Sequence, residues 1–469
     1  MSQLITPTLR FGNGPPPDLY PLPLTVFEKL MLEDDLADYP RVFTVIVDFE
    51  GALDRNAFEI AALETVRRNP LLNSLVKKIN SVWCWVPGEF SPEQISWNPT
   101  NRDFEHTRID LRKQVGFRIT GVTDGVKSQI RLTFHHAASD GQGARRVIID
   151  WCTIYSLQMG GDPAHVAMDD LNYEKLRQRG VFARDRALEV ATLPTTSNSF
   201  WQRLKALYEF FAHQPVPLRP KVRIPAATRA AAPHVTSIRF DRSDVDRFRS
   251  RLRGTDIGMN DVAIALLLNS IARWNRAHGE TGNDRLYRIL VPVDLREAGD
   301  DLLPATNRMS FVFLTRPTSL CLDFPRLLTT IRAEMDYIEV HGSKYNLIRT
   351  LPMLQSIPWA VQLGVRSPLC FSTAVLTNLG NTLRNLRHRH PHVDGRPLVG
   401  NLHYLHSSGV PPLRPKMRVG VGIVLSADEV VLQCQMDPRS FSVECTDAFL
   451  THYSESWRNW AAGSGDFQS

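Results

Sequence analysis

The sequence predicts a mixed α/β protein of two domains, each a mixed sheet covered by helices, and three observations carry that expectation. The chain has 469 residues, too many for one simple core and enough for two domains of ordinary size. From Val42 onward the apolar residues switch between a period of two and a period near 3.6, which is a β-α-β rhythm. That rhythm weakens between about Asp162 and Pro233 and then resumes. The chain therefore divides into a first domain at 1–185, a crossover at 186–233 and a second domain at 234–469.

Each element has a local reason. Val42 to Phe49 reads as a strand, and Asp54 starts a helix through Phe58, Ala62 and Val66 that stops ahead of Pro70. Strand-like runs follow around Leu75 to Val86, at Gln114 to Val122 and from Ile130 to His136. One helical stretch survives in the crossover, carrying Trp201, Leu204, Leu207, Tyr208 and Phe211. Pro215, Pro217, Pro220 and Pro225 punctuate its exit. Strand character returns at Val235 to Phe240. Asp261 then opens a helix whose Ile264, Leu267, Leu268, Ile271 and Trp274 are core candidates, and Tyr287 to Val293 is a strand. Further strands at Ser310 to Thr315, Ala374 to Thr377, Gly420 to Leu425 and Val430 to Gln435 precede a last helix with Phe449, Tyr453, Trp457 and Trp460 on one stripe.

Composition narrows the class. A hydrophobic fraction of 43% fits a globular protein. The balance of 55 Lys and Arg against 49 Asp and Glu, net +6, is too mild to call for nucleic acid. Such a field suits a phosphorylated donor such as coenzyme A, an anionic lipid surface, or merely scattered solvated charge. Cys84, Cys152, Cys321, Cys370, Cys434 and Cys445 are dispersed without a CxxC pair, which argues against a disulfide framework or structural zinc and for a reducing, cytoplasmic setting. Met1 to Leu24 lacks the basic-then-apolar order of a secretory signal. The best apolar run, Val262 to Ala272, is about half the roughly 20 residues of a membrane span, so membrane contact is expected to be peripheral at most. A monomer is expected.

The chemistry concentrates at His135-His136-Ala137-Ala138-Ser139-Asp140-Gly141, where a strand gives way to a helix. Ile130, Leu132 and Phe134 alternate with Arg131 and Thr133, so the period of two places His136 on the apolar, inward face and His135 on the polar one. An imidazole titrating near about 6.5 can take a proton from a bound hydroxyl or amine and return it. His136 is the candidate base, and His135 is expected to pack or to fix the neighbouring backbone. Gly141 and Gly143 would permit a tight turn. Asp140 either caps the following helix or, if buried, needs a cation, for which Arg296 at the end of Val291-Pro292-Val293-Asp294-Leu295-Arg296 is the partner; that pair would clamp the halves.

The HHxxxDG motif resembles the signature of the coenzyme-A-dependent acyltransferase superfamily, which includes chloramphenicol acetyltransferase, condensation domains and wax ester synthase/diacylglycerol acyltransferases. The resemblance extends over nearly the whole chain. It takes in the Pro21 to Leu32 opening, Arg67-Arg68-Asn69-Pro70-Leu71-Leu72, Pro292 to Arg296 and Thr377-Asn378-Leu379-Gly380 in the family's order. It is nearest to the wax ester synthase type and to condensation-domain proteins. It implies two chloramphenicol-acetyltransferase-like domains with a tunnel between them. It also implies His136 as general base, a structural Asp140–Arg296 pair, and Gly141 leaving room for substrate. Thr377 or Asn378 would be the donor to the oxyanion. The substrates implied are an acyl thioester, on coenzyme A or a phosphopantetheinyl carrier protein, and an alcohol or amine, with the alcohol favoured; no bound cofactor or metal is implied. Two departures stand out: the plant-type DFGWG segment is missing, and Leu379-Gly380 follows Asn378 where wax synthases have Pro-Gly.

The competing readings are an amide-forming condensation enzyme and a non-catalytic carrier-binding module of the same fold. No GxSxG elbow, GxxxxGK[ST] loop or HExxH helix occurs. His388, His390 and His392, interleaved with Arg387 and Arg389, read as a solvated basic turn rather than a metal site, because the arginines repel a cation; the same loop could touch coenzyme A phosphates or anionic headgroups, and its spacing does not decide between these.

Overall fold

The computed structural model describes the chain except residues 1–10, 98–107, 164, 183–207, 221–233, 282–283, 358, 368, 381–385, 387, 426–428 and 464–469. The helical stretch expected through Trp201, Leu204 and Leu207 lies outside the described residues, as do Pro225 and Arg387. Two compact units result. The first comprises Met1–Arg186, Arg296–Met309 and Asn381–Gly409; the second comprises Ala187–Leu295, Ser310–Gly380 and Val410–Ser469. Two segments downstream of residue 234 are thus built into the first unit.

The first unit holds a seven-stranded sheet in the order His392–Val393, Arg396–Val399, Leu402–Val410, Val42–Glu50, Lys127–His135, Phe117–Thr123, Ile95–Trp97, and a separate three-stranded sheet in the order Leu22–Pro23, Val82–Pro87, Ser74–Ile79. Val42–Glu50 and Lys127–His135 pair antiparallel, with Val42 opposite His135 and Phe43 opposite Phe134. Two helices, Arg55–Arg68 and Gly141–Gln158, carry the apolar cover. Asp54 caps the former, accepting from the Ala57 N–H at 2.7 Å. Trp151 sits at the centre of the packing, its ring 6.2 Å from Phe49, 6.1 Å from Phe58 and 4.9 Å from Tyr155.

The second unit is a six-stranded sheet in the order Met309–Pro317, Leu286–Asp294, Ala374–Gly380, Val419–Leu425, Val430–Met436, Val235–Phe240. Its core is built on helix Met259–Ala277, where Ile264, Leu267, Leu268, Ile271 and Trp274 are all buried, and on helix Val443–Ala462, where Phe449, Tyr453, Trp457 and Trp460 are buried as one stripe. The first of these helices starts two residues ahead of Asp261, whose carboxylate accepts from the Gly258 N–H at 2.8 Å. Among the described residues no helix is long and apolar enough to cross a membrane.

Candidate active site

The motif corner forms because the sheet strand runs out at His135 while the chain stays tethered. The His135 N–H donates to the Gly116 carbonyl at 2.8 Å, the His136 N–H to the Arg41 carbonyl at 2.6 Å, and the Ala138 N–H back to the His135 carbonyl at 2.9 Å. Asp140 then opens the helix Gly141–Gln158.

The burial of the two histidines is the reverse of the alternation argument. His135 is fully buried, whereas His136 is only partly so. The period of two holds only as far as the strand does, and the Gly116 backbone and the Asp35–Arg41 stretch close over the His135 side. There the His135 Nδ1 accepts from the Ala137 N–H at 3.0 Å, which places the ring proton on Nε2, 3.9 Å from Asp35 Oδ2. Asp35 is itself held by the Arg41 N–H at 2.9 Å and the Arg108 Nε at 2.7 Å. Burial holds His135 below the usual imidazole range, against the opposing pull of Asp35. His135 is a neutral strut that fixes the peptide leading into the turn.

His136 lies against Phe43, ring centroids 5.0 Å apart. Burial pushes its pKa down to about 4; Arg41 and His135 act in the same direction, and its own carbonyl and Asp140 oppose them. It is therefore unprotonated at neutral pH. Its Nδ1 is buried with no hydrogen-bond partner among the described residues, while the residue as a whole keeps some exposure.

Asp140 fulfils both of its sequence alternatives at once. Its Oδ1 accepts from the Gly143 N–H at 2.7 Å, capping the helix, and from Arg296 Nη2 at 3.0 Å; its Oδ2 accepts from Arg296 Nη1 at 2.9 Å and from the Arg308 N–H at 2.7 Å. Burial works to raise this carboxyl, but Arg296 and the two N–H donors outweigh it and hold it low. Arg296 belongs to the same compact unit as Asp140, so the fork fastens the 296–309 segment to the motif corner within one unit rather than clamping two halves.

Sequence reasoning missed the other fastenings of that segment. Asn69 is fully buried; its Oδ1 accepts from the Ala305 N–H at 2.8 Å while its Nδ2 donates to Asp150 at 3.0 Å. The Asn307 amide donates to the His136 carbonyl, and the Arg308 Nε pairs with Asp300 at 2.9 Å. A Cβ on Gly143 would lie 2.3 Å from Ser139 Oγ and 3.0 Å from the Thr306 carbonyl, so this glycine permits close approach. Neither Gly141 nor Gly143 has a positive φ: both are helical, and the turn of the motif lies just ahead of them at residues 136–138. Asn69 stood in a recognised run of residues, but nothing in the local pattern of Asn307 distinguishes it from a loop asparagine.

The structure thus brings His135, His136, Asp140, Gly141 and Arg296 into one unit. Thr377 and Asn378 lie on strand Ala374–Gly380 of the second unit, both half-buried. The Asn378 amide donates to Asn260 Oδ1 and accepts from the Gly380 N–H, each at 2.7 Å. In the histidine-rich loop, His388 and His392 are exposed, but His390 is buried, 3.3 Å from Ser156 Oγ, and Arg389 pairs with Asp169 at 2.9 Å. A wholly solvated turn is therefore corrected for His390. Among the described residues no cluster of His, Cys, Asp and Glu has a geometry that could hold a metal ion.

No protein-family model matches this sequence, and no curated protein matches it. Solved structures do. Trichothecene 15-O-acetyltransferase TRI3 from Fusarium sporotrichioides aligns with a TM-score of 0.66 at 12% identity, covering 96% of this chain and 99% of its own. The first condensation domain of the CDA synthetase aligns with a TM-score of 0.64 at 14% identity, over 94% and 96%. The starter condensation domain of rhizomide synthetase RzmA, as an arginine-to-alanine variant in complex with C8-CoA, gives 0.59 at 13% identity, over 94% and 95%. At these identities the likeness establishes a shared fold along nearly the whole chain.

Proposed function

We propose that this chain is an acyltransferase of the coenzyme-A-dependent superfamily, moving an acyl group from a thioester to an alcohol. The observation that carries the reading is His136: a neutral, partly exposed imidazole whose backbone is held by Arg41 and Asn307 beside the buried Asp140–Arg296 fork. The fold shared with an O-acetyltransferase and with a condensation domain bound to C8-CoA supports it.

In this mechanism His136 takes the proton of the acceptor hydroxyl as its oxygen attacks the thioester carbonyl. The carbonyl π pair moves onto oxygen, giving a tetrahedral oxyanion. When that intermediate collapses, the C–S bond breaks and the imidazolium proton goes to the departing thiolate, leaving ester, free thiol and neutral His136. No acyl-enzyme forms. Asp140 acts as a positioning residue through the 296–309 segment.

The test is product analysis by mass spectrometry after incubation with a panel of acyl-CoA and phosphopantetheinyl-carrier donors, each with alcohols and amines. Ester from an acyl-CoA establishes the reading; amide from a carrier-bound donor replaces it with a condensation enzyme. Thioester hydrolysis alone, or no turnover of any donor, refutes transfer.

A further inference from the structure

We infer that the second unit docks on an anionic lipid surface through the helical hairpin of Asn346–Ser356 and Ala360–Arg366. One observation is electrostatic: residues 340–380 contain no Asp or Glu, in a chain that carries 49 of them among 469 residues. Lys344 answers Glu339 at 2.7 Å; the hairpin itself carries Arg349, stacked 5.6 Å over Tyr345, and the exposed Arg366, and no acid of its own.

A second observation is what the hairpin leaves uncovered. Its first helix buries Ile348 and Leu351. The chain then turns through Ile357, 51% exposed, and Trp359, 67% exposed, and one helical turn later presents Leu363, 60% exposed, whose N–H donates to the Trp359 carbonyl at 2.8 Å. Leu369 follows at 38%. Single exposed apolar side chains are ordinary, but four large ones in so short a run are not. Trp359 adopts φ 57°, a left-handed conformation that a bulky side chain rarely takes, and does so while standing in solvent.

Tryptophan and aliphatic side chains flanked by arginine, with no carboxylate in the same run of sequence, are the chemistry of the bilayer interface. A second copy of the same face would set Arg366 against its own kind, which disfavours self-association. A lipid surface of negative charge satisfies both halves of the patch.

The full chain is floated with phosphatidylcholine vesicles, with and without phosphatidylserine, at low and high salt, and its association state is followed by equilibrium sedimentation. We expect binding to the phosphatidylserine vesicles that falls with salt, and at least about tenfold weaker binding by a Trp359→Ser/Leu363→Ser variant whose melting temperature is unchanged. Arg366→Glu should weaken binding only at low salt. Failure of the wild type to float at low salt overturns the proposal, as does equal flotation of the double variant. A dimer that the double variant dissociates, without flotation, would make the patch a self-association surface and overturn it too.

Discussion

Asp140 and Arg296 meet as a two-point fork, Oδ2 to Nη1 at 2.9 Å and Oδ1 to Nη2 at 3.0 Å, while the same carboxylate accepts two backbone N–H groups. Four donors converge on one buried acid. They come from three residues, the Arg296 side chain and the Arg308 and Gly143 N–H groups, which belong to the two segments that meet at the corner, so the acid acts as a joint between distant parts of the chain.

Removing that acid should unfold the joint rather than only slow a reaction. Asp140→Ala leaves a guanidinium and two N–H donors without their acceptor, and we expect a loss of roughly 3–5 kcal/mol. Chemical denaturation of the purified variant checks this; an unchanged midpoint would show that the fork carries no stability.

Arg296→Ala should be the companion case. It leaves the Asp140 carboxylate buried with only the two N–H donors, and a double-mutant cycle with Asp140→Ala should show strong coupling, on the order of 1–3 kcal/mol. Additive effects would mean that the two side chains touch without depending on each other.

Asn307→Ala removes the side-chain amide that holds the His136 carbonyl. Stability should fall by about 1–3 kcal/mol for the unpaired carbonyl. If Asn307 positions His136, kcat should fall by about ten- to a hundredfold with little change in KM, because a small misplacement of a base is costly. A loss of stability with normal kcat would make Asn307 structural only.

The pH dependence carries its own sign. His136 is lowered to about 4 in the folded protein, against about 6.5 unfolded, so on acidification the unfolded chain takes up the proton first. Stability is thus lost from about pH 6.5 down to about 4, a window in which the buried His135 and His390, also held low, act in the same direction. Asp140 acts lower: its contribution is present above the usual carboxylate value of about 3.9 and lost as pH falls through its depressed folded value. Unfolding free energies of wild type and His136→Gln across roughly pH 4 to 7 separate the two. The variant should show the shallower slope, and parallel curves would contradict a lowered pKa for this ring.

Much of the fold was legible because its core strands and helices are strongly patterned. The buried stripe of Phe449, Tyr453, Trp457 and Trp460 and the strand Val235–Phe240 were both readable from spacing alone. Strand Leu402–Val410 was not: His403, His406, Ser407 and Ser408 break its alternation, and it finds its partners in the sheet of the first unit, far away in sequence. At the site, HHxxxDG located the corner, and the cap and the cation for Asp140 followed from local chemistry. The relative burial of His135 and His136 did not follow, because it depends on the Gly116 and Arg41 backbones closing over the strand end. Asn69, Asn307 and Arg308 were hidden for a similar reason: each acts through a tertiary hydrogen bond or ion pair that leaves no periodic trace.

The proposed chemistry stands or falls with His136 as the base, and acyl transfer by His136→Ala, with folding verified by circular dichroism and melting temperature, probes it without an intermediary. We expect a folded protein whose kcat/KM falls by about 10²- to 10⁴-fold. A folded variant that turns over at the wild-type rate would contradict the assignment.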